Sequence, residues 1–257
     1  MLTQLTLTAL PGIPLVEPGD DLATLILAAL QRTGMSMGDG DAIVVAQKVV
    51  SKAEGRLVNL DTVEPSPSAI DLARETQKDP RLVEVILRES KQVLRTRQGL
   101  IIVEHRLGFV CANAGVDHSN VRGPRGAPGE WVLLLPLDPG RSANQLRERI
   151  RQESGAEVGV LVIDSHGRAW RIGTVGVAIG VAGFPAVLDL RGHPDLFGDL
   201  LQVTQVGLAD ELAAGASMVM GQADEGLPVV HVRGLPYTLR DGSLRELLRP
   251  EEDDLFR

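Results

Sequence analysis

The sequence predicts a mixed helix-and-strand protein folded as one large domain or two intimately joined lobes. Three observations carry this. The chain has 257 residues, within the roughly 250 to 300 at which single hydrophobic cores stop growing. Hydrophobic residues make up 44% and charged residues 23%, the usage of a globular chain and too apolar for a disordered one. Short apolar runs of strand length recur between segments whose apolar residues follow helical spacing. Aromatic residues are only 3%, so the core must be built from Val, Leu, Ile and Ala.

Residues 2 to 9 read as a strand. Pro11-Gly12-Ile13-Pro14-Leu15-Val16 is a rigid connection rather than a helix, because proline fixes φ and removes a donor. A helix begins near Asp21, with Leu22, Leu25, Ile26, Ala29 and Leu30 at helical spacing through Arg32, and Gly34 as its stop. Ala42 to Ala46 is a short buried strand. Asp79 before Pro80 starts another helix, with Leu82, Val85, Ile86 and Leu94 as its core face. Leu100 to Glu104 and Leu107 to Ala112 read as neighbouring strands. Asn113 to Glu130 is rich in Gly and Pro and lacks periodicity, and so long a loop in a compact domain is usually functional or mobile. Trp131 to Leu135 resumes strand character, and Ser142 with Gln145 has the capping-box spacing of a helix ending near Gly155. Val158 to Ile163 is the next buried strand. Gly173, Gly176, Gly180 and Gly183 then punctuate an apolar run, which calls for bulges, turns or close backbone approaches. Leu200 to Met220 reads as mostly helical, Val229 to Val232 as a strand, and residues 249 to 257 as a charged tail beyond a single unit spanning 1 to 248. There is no internal repeat or flexible linker.

Several function classes are excluded. Lys+Arg 26 against Asp+Glu 34 gives a formal net charge of −8, which argues against a general polyanion binder. The single cysteine, Cys111, excludes an intramolecular disulfide, Cys-rich zinc sites and paired-thiol redox chemistry, and points to reducing cytosol. Met1 to Pro14 lacks the form of an export signal, and no run reaches the roughly 20 apolar residues that span a bilayer, so the chain is expected to be cytoplasmic. There is no G-x-x-x-x-G-K-[ST], no G-x-G-x-x-G, no H-E-x-x-H and no G-x-S-x-G. The five histidines are dispersed; His118 and His166 stand beside candidate metal loops and are candidate substrate contacts.

Four polar constellations remain, each with a plain structural alternative. Cys111 to Val121 runs an apolar strand into Asn, Gly, Asp, Ser and Asn; it is either an Asx-rich turn or a loop in which Asp117 binds a hard divalent cation and Asn120 offers its amide to a nucleotide. Val160 to Arg168 sets Asp164 and Ser165 at the end of a buried strand, as a turn or as oxygen ligands for Mg²⁺ or Mn²⁺, with Arg168 or Arg171 available for phosphate or carboxylate oxygens. Gln47 to Arg56 holds Lys48 and Lys52, two of the chain's four lysines. These are solvated surface charge, or the local positive patch that an acidic protein needs to handle anions. Met220 to Leu227 is a helix terminus and turn, or a loop in which Gln222 supplies an oxygen to a metal and backbone N–H groups meet phosphate.

Taken in order, Ala46 to Arg56, Cys111 to Val121, Leu135-Pro136 with Ser142-Ala143-Asn144, Asp164 to Arg168, Asp195-Leu196-Phe197-Gly198 and Met218-Val219-Met220-Gly221 resemble the coenzyme F420:L-glutamate ligase family over nearly the whole chain. The ordered combination is specific where single segments are not. The resemblance implies an α+β, mixed-sheet, two-lobed fold that forms an intertwined homodimer. It implies a GTP-dependent amide ligase that adds L-glutamate through a γ-linkage to coenzyme F420-0 by way of an acyl phosphate, and extends a poly-γ-glutamate tail. The cofactors it implies are two Mg²⁺ or Mn²⁺ ions, with K⁺ as a further ion. By matching motif, Asp117, Asp164, Ser165 and Gln222 are the implied metal ligands. Ile13, Pro14, Leu15, Val16, Gln47, Lys48, Lys52, Asn120 and Met220, Gly221, Gln222, Ala223, Asp224, Glu225, Gly226 and Leu227 are the implied nucleotide pocket. Lys48, Lys52 and Arg168 are the implied catalytic cations. Ser165 stands where many relatives carry Thr, Gln222 is neutral where some carry an acid, and Arg122 to Pro128 resembles an insertion. A noncatalytic nucleotide-binding regulator and a metal-dependent phosphohydrolase are the competing readings, and neither nucleic acid nor membrane is an expected partner.

Overall fold

The computed structural model describes residues 3 to 254; the predicted strand start at Leu2 and the tail residues 255 to 257 lie outside the described residues. In chain order the elements are β1 (Thr6–Ala9), α1 (Leu22–Arg32), β2 (Ala42–Ala46), α2 (Gln47–Ala53), β3 (Leu57–Asn59), α3 (Pro67–Thr76) and α4 (Pro80–Arg88). Next come β4 (Ser90–Arg97), β5 (Leu100–His105), β6 (Val110–Ala112), β7 (Trp131–Leu133), α5 (Pro139–Ser154), β8 (Gly159–Arg168) and β9 (Arg171–Ala182). The chain closes with β10 (Leu188–Asp189), β11 (Gln205–Val206), α6 (Leu208–Met220) and β12 (Val229–Arg233).

A mixed five-stranded sheet in the order β1-β12-β2-β8-β9 organises these elements, with β2 and β8 parallel and the other pairs antiparallel. Its central strands are covered on both faces, which is why β2 reads Ala-Ile-Val-Val-Ala without alternation. Ile43, Val45, Val160 and Val162 pack with α1, α2 and α5, while Val44, Leu161 and Ile163 pack with α6. A second, antiparallel sheet, β4-β5-β6, is backed by α3 and α4 through Ala69, Ala73, Val83, Ile86, Ile101, Val103 and Cys111. The β3-β7 pair joins a smaller cluster around Leu60, Val63 and Val85. The architecture is thus mixed α and β around a mixed sheet, as the sequence predicts.

Local chemistry sets the element ends. Asp21 caps α1 by accepting from the Ala23 and Thr24 amides, and Gly34 leaves the helix at φ +73°. Asp79 caps α4 with Pro80 in the first turn. The glycine-punctuated run is β9, and two of its glycines mark close approaches: a side chain at Gly176 would meet the Ala213 carbonyl of α6, and one at Gly180 the Pro139 carbonyl of α5.

Several boundaries differ from the sequence expectations. Leu94 lies in β4 rather than on the α4 face. Helix α5 starts at Pro139 with Asp138, not Ser142, as its cap, because Asp138 accepts from the Arg141 amide. Residues 200 to 207 are not helical, and α6 begins at Leu208. Residues 107 to 109 form a turn ahead of β6, closed by the His105 amide donating to the Phe109 carbonyl. Strand β8 runs past Ile163 to Arg168 because β9 keeps pairing with it, so Asp164 to Gly167 are strand residues rather than a loop.

Candidate active site

Strand β2 ends at Ala46 and α2 begins at the next residue, so the first turn of α2 sits on the carboxyl edge of the sheet. Ala46 is the register partner of Ile163. Asp164 is therefore the first residue of β8 beyond the end of β2. The 110–121 segment reaches the same edge from the other sheet: Asn113 and Ala114 take positive φ, and Asp117 is locked to Leu133 by reciprocal 2.9 Å backbone hydrogen bonds.

Around Asp117 the chemistry is dense. Gln47, 1% exposed, donates through Nε2 to Asp117 Oδ2 at 2.7 Å and accepts from Ser51 Oγ at 3.0 Å. Lys48 Nζ lies 3.3 Å from Asp117 Oδ1 and donates to both the carbonyl and the hydroxyl of Ser119 at 3.1 Å. Lys52 Nζ donates to the Asn120 carbonyl at 3.0 Å, and Asn120 Nδ2 donates to the Ala223 carbonyl at 3.2 Å. Burial pushes the Asp117 carboxyl above the ordinary carboxylate range and the Asp164 charge pushes the same way, with Lys48 opposing. Burial and neighbouring Lys48 likewise hold Lys52 below the ordinary lysine range.

Strand alternation divides the four candidate ligands. Asp164 shares a face of β8 with His166, whose Nε2 is 3.0 Å from Asp164 Oδ2. Ser165 points the other way, where its hydroxyl donates to Gln222 Oε1 at 2.8 Å while Gln222 Nε2 donates to Ser217 Oγ at 2.8 Å. The structure thus gives two neighbouring oxygen pairs, Asp117 with Asp164 and Ser165 with Gln222, at one sheet edge. Among the described residues no three His, Cys, Asp or Glu converge on a metal site. What is present is two carboxylates, the charge of Asp164 helping to raise Asp117, completed by a hydroxyl and an amide oxygen, and that donor set fits hard divalent cations rather than zinc.

The remaining predicted residues fall at different distances from this centre. In the 220–227 stretch, Gly221 turns the chain at φ +74°, and the Glu225 carboxylate is held below its ordinary range by the Ala223, Glu225 and Gln222 amides. Amides that donate to a carboxylate are suited to donate to other anions. Of Ile13 to Val16 only Val16 is buried. That segment leads into Glu17, whose charge acts on Lys52 and whose carboxylate accepts from the Arg125 amide at 3.1 Å. Arg168 is not brought to the carboxylates within this chain: it lies on the exposed β8–β9 hairpin, four residues or about 13 Å of strand past Asp164, with a 3.4 Å bond to the Ile172 carbonyl. His118 is exposed, 3.6 Å from Glu130. Ser217 and Phe109 are absent from the sequence reading of the site; only the helical spacing that puts Ser217 near Gln222 hints at the first.

Sequence similarity carries this geometry to a class. The family described as F420-0:Gamma-glutamyl ligase matches residues 12–234, and the chain belongs to that family of ligases. More particularly, it is 49% identical over 255 residues to the coenzyme F420:L-glutamate ligase of Methanothermobacter thermautotrophicus, covering 98% of this chain and 99% of the relative. It is 50% identical over 246 residues to the protein of the same name in Methanopyrus kandleri, covering 94% and 93%, and 47% identical over 219 residues to that of Methanocaldococcus jannaschii, covering 85% of each. No helix among the described residues is long and apolar enough to cross a membrane.

Proposed function

We propose that this protein is a GTP-dependent ligase of the cytoplasm that joins the amine of L-glutamate to the terminal carboxylate of coenzyme F420-0 and extends the product into a γ-linked glutamate tail. The observation that carries the reading is the Asp117–Asp164 pair with Lys48 and Lys52 at one sheet edge, in a chain nearly half identical to ligases of that name. An amide does not form readily from a carboxylate and an ammonium group, because oxide is a poor leaving group, so the carboxylate must be activated. In this reading a carboxylate oxygen of F420-0 bonds to the γ-phosphorus of GTP as the bond to GDP breaks. The glutamate nitrogen then attacks the acyl carbon, phosphate leaves, and the amine gives up a proton.

Asp117, Asp164, Ser165 and Gln222 are the residues that would hold two Mg²⁺ or Mn²⁺ ions, with K⁺ as a further ion; bound there, such ions neutralise phosphate charge and align the transfer. Lys48 and Lys52 place positive charge beside the same oxygens, and the amides of residues 222 to 225 offer donors to phosphate. Exposed Trp170, Ile172, Leu196, Phe197 and Val203 support an intertwined homodimer of two-lobed subunits, since so much exposed apolar surface marks an interaction site. In such a dimer a partner's hairpin is the route by which an Arg168 reaches substrate. Residues 1 to 248 form the catalytic unit and the charged tail stands outside it.

Incubation with GTP, Mn²⁺, F420-0 and glutamate, followed by mass analysis, tests the reading. Glutamyl-extended product is the expected outcome. GTP loss without extension identifies a phosphohydrolase, and binding without turnover a regulator; either overturns the proposal. Acceptor carboxylate labelled with ¹⁸O should deliver one labelled oxygen to the released phosphate.

A further inference from the structure

Asp164 and His166 lie two residues apart on one face of β8, both largely buried, with side chains 14% and 13% exposed. An ionised Asp164 can only accept, so the 3.0 Å contact requires the ring proton on His166 Nε2. The ring is not free to turn: Phe109 packs against it with centroids 5.3 Å apart and planes tilted by 51°. Phe109 in turn stacks with His105, centroids 5.3 Å apart and planes at 9°.

His105 is the informative member. It is 2% exposed, its Nδ1 accepts from the Leu107 amide at 3.0 Å, and its Nε2 has no hydrogen-bond partner among the described residues. The nearest charged oxygen, Glu89 Oε2, stands 3.9 Å away, beyond hydrogen-bond reach. A buried ring N–H without an acceptor costs stability, so hydrogen bonding at Nε2 does not account for this ring. Its flat face, laid on Phe109, does. The series His105, Phe109, His166 and Asp164 is therefore a stack ending in a single directed hydrogen bond. A parallel device serves the other carboxylate, where Gln47, which accepts from Ser51, holds Asp117 Oδ2 at 2.7 Å. In each carboxylate one oxygen, Oδ2, is engaged by a side-chain nitrogen, Gln47 Nε2 or His166 Nε2.

We propose that His166 is the positioning residue for Asp164: it fixes the carboxylate rotamer that a divalent cation requires, and Phe109 and His105 fix His166. This rests on the reading of Asp164 as a cation ligand. The test is direct titration of the purified protein with Mn²⁺, following free Mn²⁺ by electron paramagnetic resonance, alongside steady-state kinetics. His166→Leu is expected to weaken Mn²⁺ binding about 10- to 100-fold, His166→Gln to restore most of it because its amide can donate, and Phe109→Leu to give a smaller loss in the same direction. The KM for glutamate at saturating Mn²⁺ should stay unchanged in all three. Asp164→Asn separates the two layers: wild-type Mn²⁺ affinity in that variant overturns the ligand reading itself. Weakened affinity in Asp164→Asn with wild-type affinity in His166→Leu overturns only the positioning role. A raised glutamate KM with unchanged Mn²⁺ affinity makes His166 a substrate contact and overturns it as well. Should His166→Leu not fold, His166→Gln and Phe109→Leu decide: a Phe109→Leu variant with wild-type Mn²⁺ affinity refutes the stack.

Discussion

Two aspartates stand at opposite ends of β2 and meet opposite fates. Asp41, one residue before the strand and 3% exposed, accepts from Arg233 Nε at 2.9 Å and Nη2 at 2.6 Å, from His231 Nε2 at 2.8 Å and from the Gly38 amide at 2.8 Å. Burial pushes its carboxyl up, yet Arg233, His231 and Gly38 together outweigh burial and hold it below the ordinary range. At the other end, Asp117 meets Gln47 and Lys48, and burial joined by the Asp164 charge outweighs them. One carboxylate is neutralised by its own chain. The other keeps a raised carboxyl, as expected of a ligand in the proposed cation site. The first ties the 38–41 turn to β12; the second stands at the end where the proposed site lies.

The two carboxylates should differ first in stability. Asp41→Ala leaves the buried His231 without its acceptor and half-exposed Arg233 with only the Ser36 carbonyl, and leaving a buried donor unsatisfied costs about 1 to 3 kcal/mol. Denaturant unfolding should show that loss, while kcat of the folded fraction stays unchanged because the cluster lies at the far end of β2. Asp117→Asn should do the reverse, lowering kcat by about 10²- to 10³-fold, the loss typical of a removed electrostatic contact to the transition state, with stability in the absence of metal equal or higher. The sign follows from the raised carboxyl. Folding favours its neutral form, so stability is greatest below the unfolded value and falls as pH rises through the folded one. The variant's advantage should appear near neutral pH and vanish in acid. If Asp117→Asn unfolds as readily as Asp41→Ala, the distinction between the two ends of β2 is lost.

His105 sharpens the comparison with a buried group that has neither a neutralising clamp nor an assigned ion. Burial, aided by Arg56 and Arg106, pulls its imidazole down to about 4. The folded protein holds the ring neutral while the unfolded chain binds a proton below about 6.5, so this contribution is fully present above 6.5 and is lost as pH falls toward 4. On the order of 3 kcal/mol of pH-dependent stability is at stake over that window. His105→Leu should flatten the stability profile between pH 6.5 and 4; an undiminished slope would assign it to another group.

The parts legible in the sequence are those whose signals are local. The α1 boundaries, β2 and the Asp79-Pro80 start of α4 follow from caps and apolar periodicity, and all three stand as read. Helix α3 went unread because the side chains it buries are Ala69, Ala73 and Thr76, too small or polar to write a hydrophobic stripe. Strand β4 went unread because none of its eight residues is buried and six are exposed, leaving no alternation. The candidate site residues were named from motif, but their division into two pairs was not, since it depends on β8 being extended through Ser165 by its partner β9. The Asp41 clamp spans about 190 residues of sequence and leaves no local trace. Gln47, read as a nucleotide contact, is buried with its amide nitrogen bonded to Asp117 and its oxygen to Ser51, a state that only tertiary contacts reveal.

The smallest expected effect lies on the other face of β8. Ser165 is exposed, donates to Gln222 Oε1 at 2.8 Å and has Gly176 as its cross-strand partner, so no side chain opposes an added methyl from that position. Threonine keeps the hydroxyl and suits a strand better than serine. Ser165→Thr should therefore leave Mn²⁺ affinity and kcat within about twofold of the parent, as surface substitutions that preserve their contacts do. Ser165→Ala removes the hydroxyl, frees the Gln222 carbonyl from its bond and should cost about five- to tenfold in Mn²⁺ affinity, the worth of one hydrogen-bonding group. Isothermal titration with Mn²⁺ on both variants measures the difference. If alanine is tolerated as well as threonine, the Ser165–Gln222 pair is a loop tether for residues 220–227 and the cation chemistry belongs to Asp117 and Asp164 alone.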